Sequence, residues 1–202
     1  METDKGRSRG RPRKYDHETA LMQAMQVFWH KGMTATSFDD LVEAMQMNRP
    51  SIYRAFGNKE EIYRQSLALF GQGGLSQLDS LVSSDGPLRQ DLDRFFDDAL
   101  DVYCGGEEPL GCFIACIAVA DVTVHPENRP DLLDLIAEID RRFEQRCIIA
   151  GQHGQVGPDV DPALLARSLQ GLLHTLAVRA RAGQSRAQLA ELKAFHLDCL
   201  FD

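Results

Sequence analysis

The chain has 202 residues, 44% of them apolar, and a net charge of −8. That supports one large domain or two small ones around a real core. It shows no run of about eighteen apolar residues to span a membrane, no apolar export leader, and an odd five cysteines, which disfavours a disulfide framework. A cytoplasmic protein is expected, with no resident cofactor or metal.

The acidic total hides a polarity. Residues 1–15 hold six Lys or Arg against two acids, and residues 1–64 are still net basic, so the remainder is strongly acidic. Residues 1–13 alternate Gly, Arg, Ser and Pro and bury nothing, so a flexible basic arm is expected. Its Arg11 and Arg13, with the adjoining Lys14, suit phosphate neutralisation or the minor groove. Taken alone, the arm also reads as a solvated tail.

From Asp16 to His30, Leu21, Ala24, Met25 and Phe28 form one helical face with Trp29 beside it, and Gly32 is placed for a left-handed cap. In residues 36–45, Phe38, Leu41, Val42 and Met45 form the next stripe, with Thr36 as the expected cap and Asp39 and Asp40 in the first turn. After Gln46-Met47, Asn48 suits the N-cap of another helix and Pro50 its first turn, with Ile52 and Phe56 inward. Arg49, Ser51, Tyr53 and Arg54 lie on its other faces. Two short helices, a tight turn and a polar, basic leading end make a helix-turn-helix pattern.

A longer helix starts near Glu60 and reaches toward Val82, weakened in its middle by Gly71, Gly73 and Gly74. After the turn cluster 83–87, a helix runs from about Leu88 to Cys104. The apolar run 112–120 fits a strand or a helix; its alanines and helical neighbours favour a helix covered on every side. Another helix spans about Leu132 to Ala150. The glycine-rich stretch 151–158 lacks a Gly-Lys-Ser/Thr ending and is a plain connection. Asp161-Pro162 opens a helix striped with Leu165, Leu169, Leu172 and Leu176, and Ser185 caps a last one carrying Leu192, Phe195 and Cys199. These seven apolar residues are the candidate surface for a twofold four-helix bundle, hence a homodimer.

Over residues 14–70 the chain resembles the tetracycline-repressor (TetR/AcrR) family of transcriptional regulators. The resemblance rests on Phe28 and Gly32, on Thr36-Ser37, and on Tyr53, Phe56, Lys59 and Glu60 at their spacing. Gln46 stands where the family carries Gly, and Pro50 where a small residue is commoner. The resemblance implies an all-α fold of about nine helices. Residues 14–60 would form a three-helix DNA-binding domain, and residues 61–202 a larger helical ligand-binding and dimerisation domain. It implies Thr36, Tyr53 and Lys59 on phosphates, Arg49, Pro50 and Ser51 facing the major groove, and Asn48 capping their helix near the backbone. Double-stranded DNA with a palindromic operator and an unidentified small-molecule inducer are then the partners, and no enzyme is expected.

Candidate ligand-binding residues are Phe96, Tyr103, Cys112, Phe113, Cys116, Phe143 and His174, each of which also fits a core position. Cys112 and Cys116 share a helical face, with Cys104 close by. They read as buried small hydrophobes, as a redox or electrophile sensor, or as soft metal ligands with His125 or His174. A cysteine-sensing repressor of the same fold and a helical protein-interaction module are the alternative functions. No HExxH, nucleotide loop or Ser/His/Asp order supports an enzyme.

Overall fold

Helix starts in the N-terminal third are fixed by polar side chains, which accept the first unpaired N–H groups of each helix. The computed structural model describes residues 16–201, so the expectations for Arg11, Arg13, Lys14 and the arm lie outside the described residues. Asp16 accepts the Thr19 N–H at 3.1 Å and opens α1, His17–Ala35. Gly32, at φ 75°, kinks that helix before its last turn. α2, Phe38–Met45, is capped by Ser37, whose hydroxyl and N–H exchange bonds with Asp40. Thr36, expected to be that cap, instead belongs to the kink. It is buried, and its hydroxyl donates to the Gly32 carbonyl at 2.7 Å.

Gln46 makes the turn in the left-handed region, at φ 51° and ψ 37°. A side chain there costs roughly 1–2 kcal/mol, a cost this turn carries without glycine. Asn48 accepts the Ser51 N–H at 3.0 Å and opens α3, Arg49–Phe56, with Pro50 in the first turn. A second reciprocal cap, Asn58 with Glu61, starts α4, Lys59–Val82.

Phe28, Leu41, Met45, Ile52 and Phe56 fill the space between α1, α2 and α3. Ile62 and Tyr63 of α4 close that core, and the rest of α4 continues into the second half. There α5 (Leu88–Cys104), α7 (Arg129–Gln152), α8 (Pro162–Arg181) and α9 (Arg186–Phe201) pack, with α8 against the other three. The apolar run becomes a π-helical turn, Ile114–Ala118, leading into a short α6, Val119–Asp121. It is helical, but not covered on every side: Phe113, Ile114, Ile117 and Ala118 are buried, while Val119 and Ala120 are exposed. A 3-10 turn, Pro126–Asn128, leads into α7.

Arg146 is buried and donates to Asp91 at 2.9 Å and to the Gly86 carbonyl at 2.8 Å. Burial opposes the Asp91 charge, yet hydrogen bonds led by Arg146 outweigh it and hold the carboxyl below its ordinary range. This pair fastens the 83–87 link and the start of α5 to α7.

Candidate DNA interface and effector cavity

The turn at Gln46 leaves the N-terminal end of α3 at the surface. Asn48, Arg49, Pro50, Tyr53 and Arg54 are exposed and Ser51 is half-buried. Phe38 organises them: the Tyr53 ring stacks on it at 4.6 Å and 10°, and the Arg49 guanidinium lies 5.3 Å from its centroid. Asp39 holds Arg49 at 2.6 Å. The arginine is thus presented along the edge of α2 with its fork partly occupied. A planar guanidinium, a phenol and a serine hydroxyl on one exposed helix end are donors suited to base edges and phosphates.

Two sequence-predicted phosphate contacts are placed otherwise. The Thr36 hydroxyl is turned inward as described, so Ser37 supplies the surface hydroxyl. Lys59 is half-buried, and its ammonium donates to the Met33 and Thr36 carbonyls at 3.0 Å each. It serves as a cation on the carbonyl end of α1, where the helix dipole favours positive charge.

In the second half a cavity of about 360 Å³ lies between α1, α4, α5, α7 and α8. Its walls include Met22 and Met25 of α1, Phe70, Gly73 and Gly74 of α4, Phe95 and Ala99 of α5, and Leu173 of α8. Of the candidate ligand residues, Tyr103, Cys112 and His174 line it. Phe96, Phe113 and Phe143 are fully buried core, and Cys116 is half-buried outside the lining. Phe113 lies 5.8 Å from both Tyr63 and Phe70, filling the space between the reader and the cavity. The glycines that weaken α4 in the sequence were a missed signal: a Cβ at Gly73 or Gly74 would meet nothing within 4 Å, so they leave the wall open.

Burial pushes the Cys112 thiol up to about 11, against the N–H groups of Ala115 and Ile114 that favour its thiolate. The Tyr103 hydroxyl is hydrogen-bonded to this sulfur. Burial likewise moves Cys147 to about 11 and raises Cys104 and Cys116, while Cys199 is exposed. Among the described residues no three of His, Cys, Asp and Glu converge as a metal ion requires.

Besides α1 and α4, which reach both, a short segment joins the reader to the cavity. Cys112 lines the cavity, and nine residues on, Asp121 accepts the Met33 N–H at 3.0 Å and the Tyr63 hydroxyl at 2.9 Å. Arg181, at the end of α8, donates to the Leu110 carbonyl at 2.9 Å and the Trp29 carbonyl at 3.2 Å. The end of α1 is therefore held from both sides by the cavity's own framework.

On α8, Leu165, Leu169, Leu172 and Leu176, expected at a dimer surface, are buried in the chain's own core. Their stripe faces α5 and α7, because a wide apolar face on a central helix is consumed inside the subunit. The outward residues are Leu164 and Val178 on α8 and Phe195 and Cys199 on α9, Phe195 being 67% exposed, with Leu192 half-buried.

Residues 20–66 match the family model for bacterial regulatory proteins of the tetR family, and residues 87–195 match that for tetracyclin repressor-like C-terminal domains. The HTH-type transcriptional repressor ComR of Escherichia coli is 27% identical over 191 residues, 92% of this chain and 89% of that protein. A cysteine-substituted form of the TetR-family regulator CifR, solved with a 26-base-pair operator DNA, is 30% identical with a TM-score of 0.84, covering 95% of this chain and 100% of that one. Reduced E. coli NemR shares the fold, at 17% identity and a TM-score of 0.81 over 92% of this chain and 96% of that one. Among the described residues no helix is long and apolar enough to cross a membrane. With a helix-turn-helix reader in front and a matching helical domain behind, the chain belongs to the tetR family of bacterial regulatory proteins and is a DNA-binding transcriptional regulator, not an enzyme.

Proposed function

We propose that the chain is a ligand-responsive repressor that binds a palindromic operator as a homodimer and releases it when a small molecule fills the cavity. The observation that carries this reading is the segment from Cys112 to Asp121, which ties the cavity wall to the end of α1. A change at one end has a covalent and hydrogen-bonded route to the other. Residues 14–60 form the reader, and residues 61–202 supply the dimer contact and most of the ligand cavity, with α4 reaching into both and α1 lending Met22 and Met25 to the cavity wall. Arg49, Pro50 and Ser51 face the major groove, with Asn48 and Tyr53 fixing their helix and its register; the arm residues Arg11, Arg13 and Lys14 add phosphate contacts. Tyr103, Cys112 and His174, with Gln77, are the ligand-facing polar groups. The dimer forms across the α8–α9 face that carries Leu164, Val178, Leu192, Phe195 and Cys199, where exposed Leu164 and Val178, fourteen residues apart on α8, and Phe195 and Cys199, four apart on α9, call for a self-complementary partner. Similarity to ComR, a repressor, and to CifR, solved on operator DNA, supports the same action here.

Fluorescence anisotropy on a duplex from the chain's own upstream region tests it, with light scattering for mass. The expected result is two chains per duplex, sequence preference, and affinity that falls steeply with salt as phosphate-bound counterions are released. A monomer that binds every duplex alike overturns it.

A further inference from the structure

The proposed repressor reading leaves the effector's chemistry open, and the cavity constrains it. We propose that the effector is an uncharged, largely apolar small molecule bearing one oxygen function, seated with that oxygen on His174 in the cavity that Tyr103 and Cys112 also line. The proposal rests on the ligand-responsive reading above.

The lining contains no Asp, Glu, Lys or Arg, although a quarter of the chain is charged. An ammonium, carboxylate or phosphate entering this cavity would lose its water and find no counter-charge, which costs several kcal/mol. A neutral hydrophobe pays no such penalty. Met22 and Met25 supply flexible, polarisable walls that adjust to its outline, and Phe70 and Phe95 supply flat ones. About 360 Å³ lies near the small end of the range for ligand pockets.

The polar groups are few and set the oxygen. Tyr103 and Cys112 are already hydrogen-bonded to each other. The His174 imidazole makes no hydrogen bond among the described residues, and burial keeps it in its neutral form against the nearby Asp140 charge. Asp140 Oδ1, on α7 opposite, is buried and unpartnered. A neutral imidazole offers one donor and one acceptor: with its N–H turned to the Asp140 carboxylate its bare nitrogen accepts from a ligand hydroxyl, and with its N–H turned to the cavity it donates to a ligand carbonyl. An imidazole without a hydrogen-bond partner on the wall of an apolar cavity is what a single ligand oxygen would complete.

Calorimetry on the full-length protein tests this with two matched trios: 4-propylphenol, 4-propylbenzoate and 4-propylbenzylammonium, and octan-2-one, octanoate and octylammonium. In at least one trio the neutral probe is expected to bind ten times or more tighter than both ions. Leu173→Trp, which fills the cavity, should abolish that binding. His174→Leu, which keeps the bulk, should weaken the oxygenated probe roughly threefold to tenfold while leaving propylbenzene unchanged; this arm stands if the tryptophan variant does not fold. Ions that bind as well as their neutral partners in both trios, neutral binding that survives Leu173→Trp, or no binding by any probe overturns the proposal. Operator anisotropy on the same samples separates the two readings: a protein that holds its operator and ignores the neutral probes refutes the ligand class alone.

Discussion

The Tyr63 hydroxyl donates to Asp121 at 2.9 Å, and the same carboxylate oxygen accepts the Met33 N–H at 3.0 Å. Burial and the adjacent Asp121 charge raise the tyrosine's pKa, so it remains a donor throughout the working range. One oxygen thus fastens α4 and the end of α1 to the segment that begins in the cavity wall. Asp121→Ala leaves both donors without their charged acceptor and should cost about 1–3 kcal/mol. Thermal melting should fall by about 2–4 °C per kcal/mol. Tyr63→Phe, which removes one of the two bonds, should cost less. In an operator-release titration both variants should need more effector, Asp121→Ala more than Tyr63→Phe, because the route from the cavity is cut in the first and weakened in the second.

The glycines of α4 make a steric test. A Cβ at Gly73 or Gly74 meets nothing within 4 Å, so Gly73→Ala and Gly74→Ala should each stabilise the helix by about 0.5–1 kcal/mol. At Gly71 the Cβ would lie 2.9 Å from Leu135, and at Gly111, with φ 65°, 2.3 Å from the Ala177 carbonyl oxygen. Gly111→Ala should lower the melting temperature, because backbone strain adds to a clash with a fixed carbonyl, while Gly71→Ala should change it less, since the Leu135 methyls can turn aside.

Breaking the buried pair should be costly. Arg146→Met removes the buried partner of the Asp91 carboxylate and leaves it the exposed Arg94, so a cost of about 1–3 kcal/mol in urea unfolding is expected. The pH dependence follows in sign. The folded-state pKa of Asp91 is lowered, so the pair's contribution is complete above the ordinary aspartate value and is lost as pH falls through the folded value. Arg146→Met should flatten that acid limb. His174 acts in the same direction in a higher window: burial lowers its pKa, so the unfolded chain gains a proton first as pH drops through 6.5, and stability falls there.

Arg49 and Lys59 should separate reading from folding. Arg49→Ala should relax base discrimination by about 1–3 kcal/mol at one operator position with little change in melting temperature. Asp39→Asn, which releases the guanidinium from its 2.6 Å ion pair, should change affinity without unfolding the protein. Lys59→Met should lower the melting temperature as well as affinity, because its ammonium holds two backbone carbonyls.

Much of the reader was legible because its signals are local. Asn48 and Pro50 act through backbone rules that operate within one turn, and both stand where those rules put them; Gly32 has the expected positive φ, but at ψ 169° it kinks α1, which continues to Ala35, instead of capping it. Thr36 misled because Ser37, one residue on, is an equally good cap; only the kink after Gly32 decides which hydroxyl turns outward. The α8 leucines misled for a different reason. A wide apolar stripe says that a face is covered, but not whether α5 and α7 or a second subunit covers it. The cavity was least legible: Met22, Gly73 and Leu173 are far apart in the chain, and nothing short-range distinguishes a lining phenylalanine such as Phe95 from a packed one such as Phe96.

Because α4 is rooted in both cores, engineers who transplant one half of this regulator onto another have no clean seam at residue 60. A cut there would strip Ile62 and Tyr63 from the reader they complete. The natural splice lies at 83–87, after α4 ends, and a hybrid joined there would keep the whole rod with the donor of the DNA-reading half. It would then have to regrow the Gly71–Leu135 fit with its new host.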